Sequence, residues 1–139
     1  MTTEILLVHG DAAVSSLYVD VLKRDGHNVQ VLAGPESIER LLDQNNNNNK
    51  IDLLVLDVDL PDKMGPKVAW ALREKGHSLP TVGLKTAGDT WDPEDLADLG
   101  FNRLLDKPVT GMQLVESVRE LTYPNASQAQ AAEMTLESD

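Results

Sequence analysis

Two acids, Asp57 and Asp59, stand where an apolar run, Leu53 to Leu56, breaks off. Other short apolar runs end in the pairs Lys85-Thr86 and Lys107-Pro108, and the first run, Ile5 to Val8, ends in His9-Gly10-Asp11. A carboxylate at the end of a buried strand can act as a nucleophile, a proton carrier or an oxygen ligand for a hard cation. Ammonium groups beside it can neutralise an anion under transfer. Asp57, the first acid after its run, is the leading candidate for a working residue.

Bulk composition narrows the chemistry. The chain has no cysteine, so thiolate catalysis, cysteine-ligated zinc and disulfides are excluded. A formal net charge of −11 repels a phosphate backbone, and no cluster of Lys and Arg makes a local exception, so this domain is not expected to bind nucleic acid. Met1 to Glu4 has no basic leader character, and Ile5 to Val8 is too short for a signal peptide or a membrane span. A cytoplasmic location with no membrane partner is the expectation. A hydrophobic content of 41% and a charged content of 25% fit an ordinary globular domain and leave both enzyme and binding module open.

The candidate residues need elements to position them. Ile5–Val8 and Leu53–Leu56 are continuous apolar runs, as expected of parallel strands covered on both faces. Weaker runs at 28–32, 80–84 and 103–106 predict three more strands. Between them lie helical patterns. Asp11 can cap a helix with Val14, Leu17, Val21 and Leu22 as its stripe, and Gly26 can end it. Pro35 opens a short helix carrying Ile38, Leu41 and Leu42. Gly65 and Pro66 begin one with Val68, Ala71 and Leu72, and another runs from Pro93 to Leu99. The last, from about Thr110 to Thr122, has Leu114, Val118 and Leu121 on one face. Asn45 to Asn49 reads as a solvated loop. Residues 1–123 are read as one domain; 124–139 lack bulky apolar side chains and read as a disordered tail or linker.

Five strands alternating with five helices specify an α/β fold, a doubly wound five-stranded parallel sheet with helices on both faces, flavodoxin-like in topology. Ligands of such sheets bind beyond the carboxyl ends of the strands, where strand order reverses. The residues at that rim are those named at the outset. A phosphate loop rich in glycine and hydroxyls, which flavin-type cofactor binding would need after the first strand, is not provided by His9-Gly10-Asp11-Ala12.

From Glu4 to Tyr123 the chain resembles the receiver domain of two-component response regulators. The likeness rests on Asp52 to Asp57 with Pro61 and Gly65 following, on Leu79-Pro80, and on Lys107-Pro108. The resemblance implies a non-enzymatic signalling module. Its partner, a histidine kinase or a phosphotransfer protein, passes a phosphoryl group to Asp57, and an output protein reads the result. It also implies Mg²⁺ held by an acidic pair after the first strand, a lysine on the acyl phosphate, matched by Lys107, and a Thr or Ser at the end of the fourth strand.

Departures from that pattern bear on mechanism. The acidic pair falls on His9 and Gly10, neither a carboxylate, which makes Mg²⁺ doubtful. Asp11 and Asp59 remain as possible metal ligands, with helix capping and a solvated loop acid as the plainer readings. Spacing from Lys107 places Lys85 at the Thr or Ser position, whereas local similarity favours Thr86. Leu104 occupies a position where receivers carry an aromatic switch. His9, Lys85 and Lys107 around Asp57 suggest fixed cations in place of the metal.

Two other readings stand beside this one. A phosphorylation-independent pseudo-receiver would bind partners through its last strand and last two helices, with Trp91, Leu104 and Tyr123 on that surface. The Asp57-Val58-Asp59 spacing is also similar to the nucleophile motif of haloacid-dehalogenase-type phosphohydrolases. Against that, the motif lies mid-chain, Pro61 replaces the usual Thr or Val, and no acidic pair follows the fourth strand.

Overall fold

The protein is described by a computed structural model. Residues 3–32, 51–60, 64–76, 79–86, 88 and 91–122 are described. The helix expected at 35–42, the asparagine run, Pro61, Tyr123 and the expected tail at 124–139 lie outside the described residues.

Strands β1 (Glu4–Val8), β2 (Asn28–Leu32), β3 (Leu53–Asp57), β4 (Thr81–Thr86) and β5 (Arg103–Lys107) form one parallel sheet in the order β2-β1-β3-β4-β5. Four helices accompany them among the described residues: α1 (Ala12–Arg24), α2 (Met64–Glu74), α3 (Pro93–Asp98) and α4 (Gly111–Thr122). β1 and β3 are central, and strand order reverses between them. Their unbroken apolar sequence reflects burial on both sides, because side chains alternate between two covered faces.

Each face has its own core. Leu6, Val8, Leu54 and Leu56 pack on one side with Val68 and Leu72 of α2, Leu96 of α3, and Phe101. Ile5, Leu7, Leu53, Val55, Val82 and Leu84 pack on the other with Tyr18 and Leu22 of α1 and Leu114 and Val118 of α4. Leu121 packs against the edge of this second cluster, completing the stripe expected of α4.

Two differences from the sequence reading concern the elements around the rim. β4 runs two residues past Leu84 and so carries Lys85 and Thr86 into the sheet, held by pairing with Asp106 and Lys107. In α1 the inward face is Ser15, Tyr18 and Leu22, while Leu17 is 66% exposed. Helical spacing alone permits either phase of that stripe, and the sheet selects the one that buries the tyrosine.

Two glycines permit close approaches that shape the rim. A Cβ at Gly65 would stand 2.6 Å from the Asp57 carbonyl oxygen, so only glycine lets α2 begin against the end of β3. A Cβ at Gly83 would meet the Phe101 ring at 2.6 Å, so this position makes room for the aromatic side chain of the first core.

At the opposite end of the sheet, Asp25 caps α1 and binds Arg119 of α4, whose Nε donates to Oδ2 at 3.1 Å while its other nitrogen bonds Oδ1. His27 Nε2 lies 2.9 Å from the same Oδ2. The Arg119 hydrogen bond holds the Asp25 carboxyl below its ordinary range against the opposing effect of burial, and His27 adds to the lowering. A depressed carboxyl pKa contributes stability that is complete above about pH 4 and is lost as the pH falls through the folded value. Asp25→Asn is therefore expected to lower Tm by a few degrees at neutral pH, with the gap to wild type closing below about pH 4 in thermal melts.

Candidate functional site

Strand parity assembles the site. Ile5 and Leu7 face α1 and α4, and continuing their alternation puts His9 on that face. Leu53 and Val55 do the same for Asp57, Leu84 for Thr86, and Leu105 for Lys107. Four chemically capable side chains thus reach the carboxyl rim of the sheet from β1, β3, β4 and β5 on one side.

Asp57 is 5% exposed. Its Oδ1 accepts hydrogen bonds from Lys107 Nζ at 2.8 Å and from the Asp59 backbone N–H at 2.9 Å. Its Oδ2 faces His9 Nε2 at 3.5 Å. Partial burial pulls the Lys107 pKa down, but the hydrogen bond and charge of Asp57, joined by Asp59, carry it above the ordinary lysine value. Lys107 is thus held as an ammonium group beside the carboxylate.

Asp59 links the strands. Its Oδ2 accepts from the Thr86 backbone N–H at 2.7 Å and the Thr86 hydroxyl at 2.8 Å, and lies 3.4 Å from Lys107 Nζ. Lys85 has the opposite parity and forms an ion pair with Asp106 at 3.1 Å, its registered neighbour on β5. Of the two β4 candidates, Thr86 belongs to the Asp57 side of the sheet. The reading of Lys85 as a cation at Asp57 is corrected by its place on the other face.

His9 is also not the fixed cation expected. Its Nδ1 accepts the Asp11 backbone N–H at 3.0 Å, which requires a neutral ring with the proton on Nε2. The ring meets Tyr18 edge-on, with centroids 5.7 Å apart. Asp11 serves as the N-cap of α1, its Oδ1 accepting from the N–H groups of Ala13 and Val14 at 2.9 and 3.2 Å. Gly10 adjoins the open cleft that His9, Asp57, Lys107 and Tyr18 also line, a space of about 920 Å³.

A family model described as the response regulator receiver domain matches residues 5–119. The chain belongs to the response regulator receiver family. The transcriptional regulatory protein CpxR of Escherichia coli (strain K12) is 36% identical over 118 residues, covering 85% of this chain and 48% of that protein. CpxR of Klebsiella pneumoniae is 34% identical over the same length. The chain therefore spans about half the length of these curated relatives. Among solved structures, a response regulator receiver domain from Clostridium thermocellum has a TM-score of 0.78 at 19% identity, covering 91% of this chain and 98% of that one. A CheY-like receiver domain protein from Methanospirillum hungatei has a TM-score of 0.76 at 19% identity, covering 92% and 99%. Both likenesses support the doubly wound receiver fold, and family membership leaves the phosphohydrolase reading without support.

Within this receiver two further expected residues, Leu104 and Trp91, pack with the first core. Leu104 points to the face opposite Asp57, and Trp91 is half-buried. Among the described residues, no three His, Asp or Glu side chains converge to hold a metal ion. The sequence reading missed Tyr18, which is buried against His9; the signal was present, since Tyr18 lies four residues before Leu22 on the inward stripe of α1. Burial raises the Tyr18 pKa, with Lys107 opposing and Asp57 reinforcing the rise.

Removing the Lys107 ammonium leaves a buried carboxylate short of a donor, which costs about 1–3 kcal/mol. Lys107→Met is expected to lower stability by that amount in denaturant titrations at neutral pH. Because the folded Lys107 pKa is raised, its contribution is complete below the ordinary lysine value and lost as the pH climbs through the higher folded one. The difference from wild type should shrink over that alkaline range.

Proposed function

We propose that the chain is the phosphoryl-accepting receiver of a phosphorelay, with Asp57 as acceptor and a degenerate metal site. The observation carrying this reading is the buried Asp57 carboxylate at the end of β3 with Lys107 Nζ 2.8 Å from its Oδ1. The donor is a histidine kinase or a histidine phosphotransfer protein. An oxygen of Asp57 forms the new bond to phosphorus, the phosphorus–nitrogen bond of the donor breaks, and its electron pair stays on the imidazole. Charge spreads over the three equatorial oxygens as this happens, and Lys107 is placed to receive part of it.

The Mg²⁺ implied by the family does not fit the donors present. His9 and Gly10 offer no carboxylate where the acidic pair belongs. Asp11 Oδ1 is engaged in capping, Asp59 Oδ2 accepts both Thr86 donors, and Asp57 Oδ1 accepts two donors of its own. Mg²⁺ completes its six oxygens with waters but is anchored by carboxylates, and without the acidic pair no three acidic or histidine side chains converge to anchor it among the described residues. The chain is in this respect an atypical receiver.

The product state is read by an output protein or an attached output domain, as the name of the CpxR relatives, transcriptional regulatory proteins, suggests for theirs. The chain itself acts as a stoichiometric acceptor. Incubation with a small phosphodonor and Mg²⁺ should add the mass of one phosphoryl group to wild type and none to Asp57→Asn by intact mass spectrometry. Equal modification of both proteins, or of neither, contradicts the assignment of Asp57, and steady turnover of the donor points to hydrolysis.

A further inference from the structure

Two buried side-chain nitrogens among the described residues have no hydrogen-bond partner, His27 Nδ1 and His9 Nε2. The first belongs to the Asp25 cluster at the amino ends of the strands. The second lies at the working rim, 3.5 Å from Asp57 Oδ2, on a side chain that is 5% exposed. Its direction is fixed from both sides. The Asp11 N–H occupies Nδ1 and so keeps the proton on Nε2, and Tyr18 meets the ring edge-on. An N–H held out of water that stands 3.5 Å from Asp57 Oδ2 without forming a hydrogen bond is unfavourable in the resting protein, and an oxygen brought to it in good geometry recovers that loss.

We propose that His9 replaces the divalent cation: its Nε2–H and the Lys107 ammonium together hold the oxygens of a phosphoryl group on Asp57, so that this chain accepts the group without metal. The inference rests on the reading of Asp57 as acceptor and goes beyond it by naming what compensates for the missing acidic pair. Neither His9 nor Lys107 needs a cation to orient it. Lys107 is held by Asp57 and Asp59, His9 by the Asp11 backbone and Tyr18. Both border the cleft through which a small donor reaches Asp57. With acetyl phosphate, an Asp57 oxygen bonds to phosphorus, the bond from phosphorus to the acetyl oxygen breaks, and acetate leaves with the electron pair. No proton transfer is required. His9 acts as an uncharged donor to the oxygens that stay on phosphorus.

The exchange of ligand chemistry is testable in reverse. A Cβ at Gly10 would have Leu60 Cδ2, at 3.8 Å, as its nearest neighbour, so an acidic side chain can be introduced there without a clash at its base. The full chain is incubated with acetyl phosphate in EDTA or in Mg²⁺, and intact mass is followed over time. Wild type is expected to acquire the adduct at the same rate in both. His9→Ala should slow it about tenfold in EDTA, the loss of one hydrogen bond to a charged group. His9→Gln, which keeps an N–H donor, should recover most of that rate, and the double variant His9→Asp with Gly10→Asp should require Mg²⁺. An adduct that forms on wild type only with Mg²⁺, or equally fast on His9→Ala in EDTA, overturns the proposal while leaving Asp57 as acceptor. No adduct under either condition instead removes the Asp57 reading, and the proposal with it. Ring ¹⁵N shifts of His9 in the unmodified wild-type chain give a reading independent of reactivity. A bare Nδ1 and a protonated Nε2 are expected, and a proton on Nδ1 at neutral pH overturns the proposal.

Discussion

Burying a carboxylate at the end of a strand strips it of water, and only donors placed at its oxygens offset that loss. At Asp57 the principal donor is the Lys107 ammonium, and the two residues come from strands separated by β4. Their meeting requires the register of β3 on β4 and of β4 on β5, together with the alternation that points residues 57, 84, 105 and 107 toward the same core. The sheet is thus a device for bringing one anion and one cation together at its rim. Asp59 and Thr86 reinforce it by tying the turn after β3 to the end of β4.

Much of this frame was legible in the residues. Ile5–Val8 and Leu53–Leu56 are apolar without alternation, as expected of parallel strands covered on both faces. The rule placing ligands beyond the carboxyl ends of parallel strands then picked out the three-residue and two-residue groups at the rim. Asp57 and Lys107 followed from that, because both end their strands abruptly. The resemblance to receivers pointed to the same two residues, and the family match over 5–119 bears out the family itself.

Other features were not legible because they depend on phase rather than pattern. Lys85 and Thr86 are adjacent, and the choice between them turns on which face of the sheet each presents, which is settled only when β4 continues past Leu84 in register with β5. In α1, Leu17 and Tyr18 both lie at helical spacing from Val14, and each has an apolar residue four places on, Val21 for the leucine and Leu22 for the tyrosine, so the outward turn of the leucine appears only once the helix is laid on the sheet. The state of His9 is a third case. Residue type suggested a cation beside a carboxylate, but a single backbone N–H from Asp11 fixes the ring as neutral. Backbone donors leave no mark in a sequence.

The central claim is the direct contact between the Lys107 ammonium and the Asp57 carboxylate. Ammonium-selective ¹H–¹⁵N correlation spectra of wild type and Asp57→Asn test it. A hydrogen-bonded Lys107 should give a slowly exchanging NH₃⁺ signal in wild type that moves or vanishes in the variant. A Lys107 signal unaffected by the substitution, or exchanging as fast as those of the surface lysines, would contradict the account.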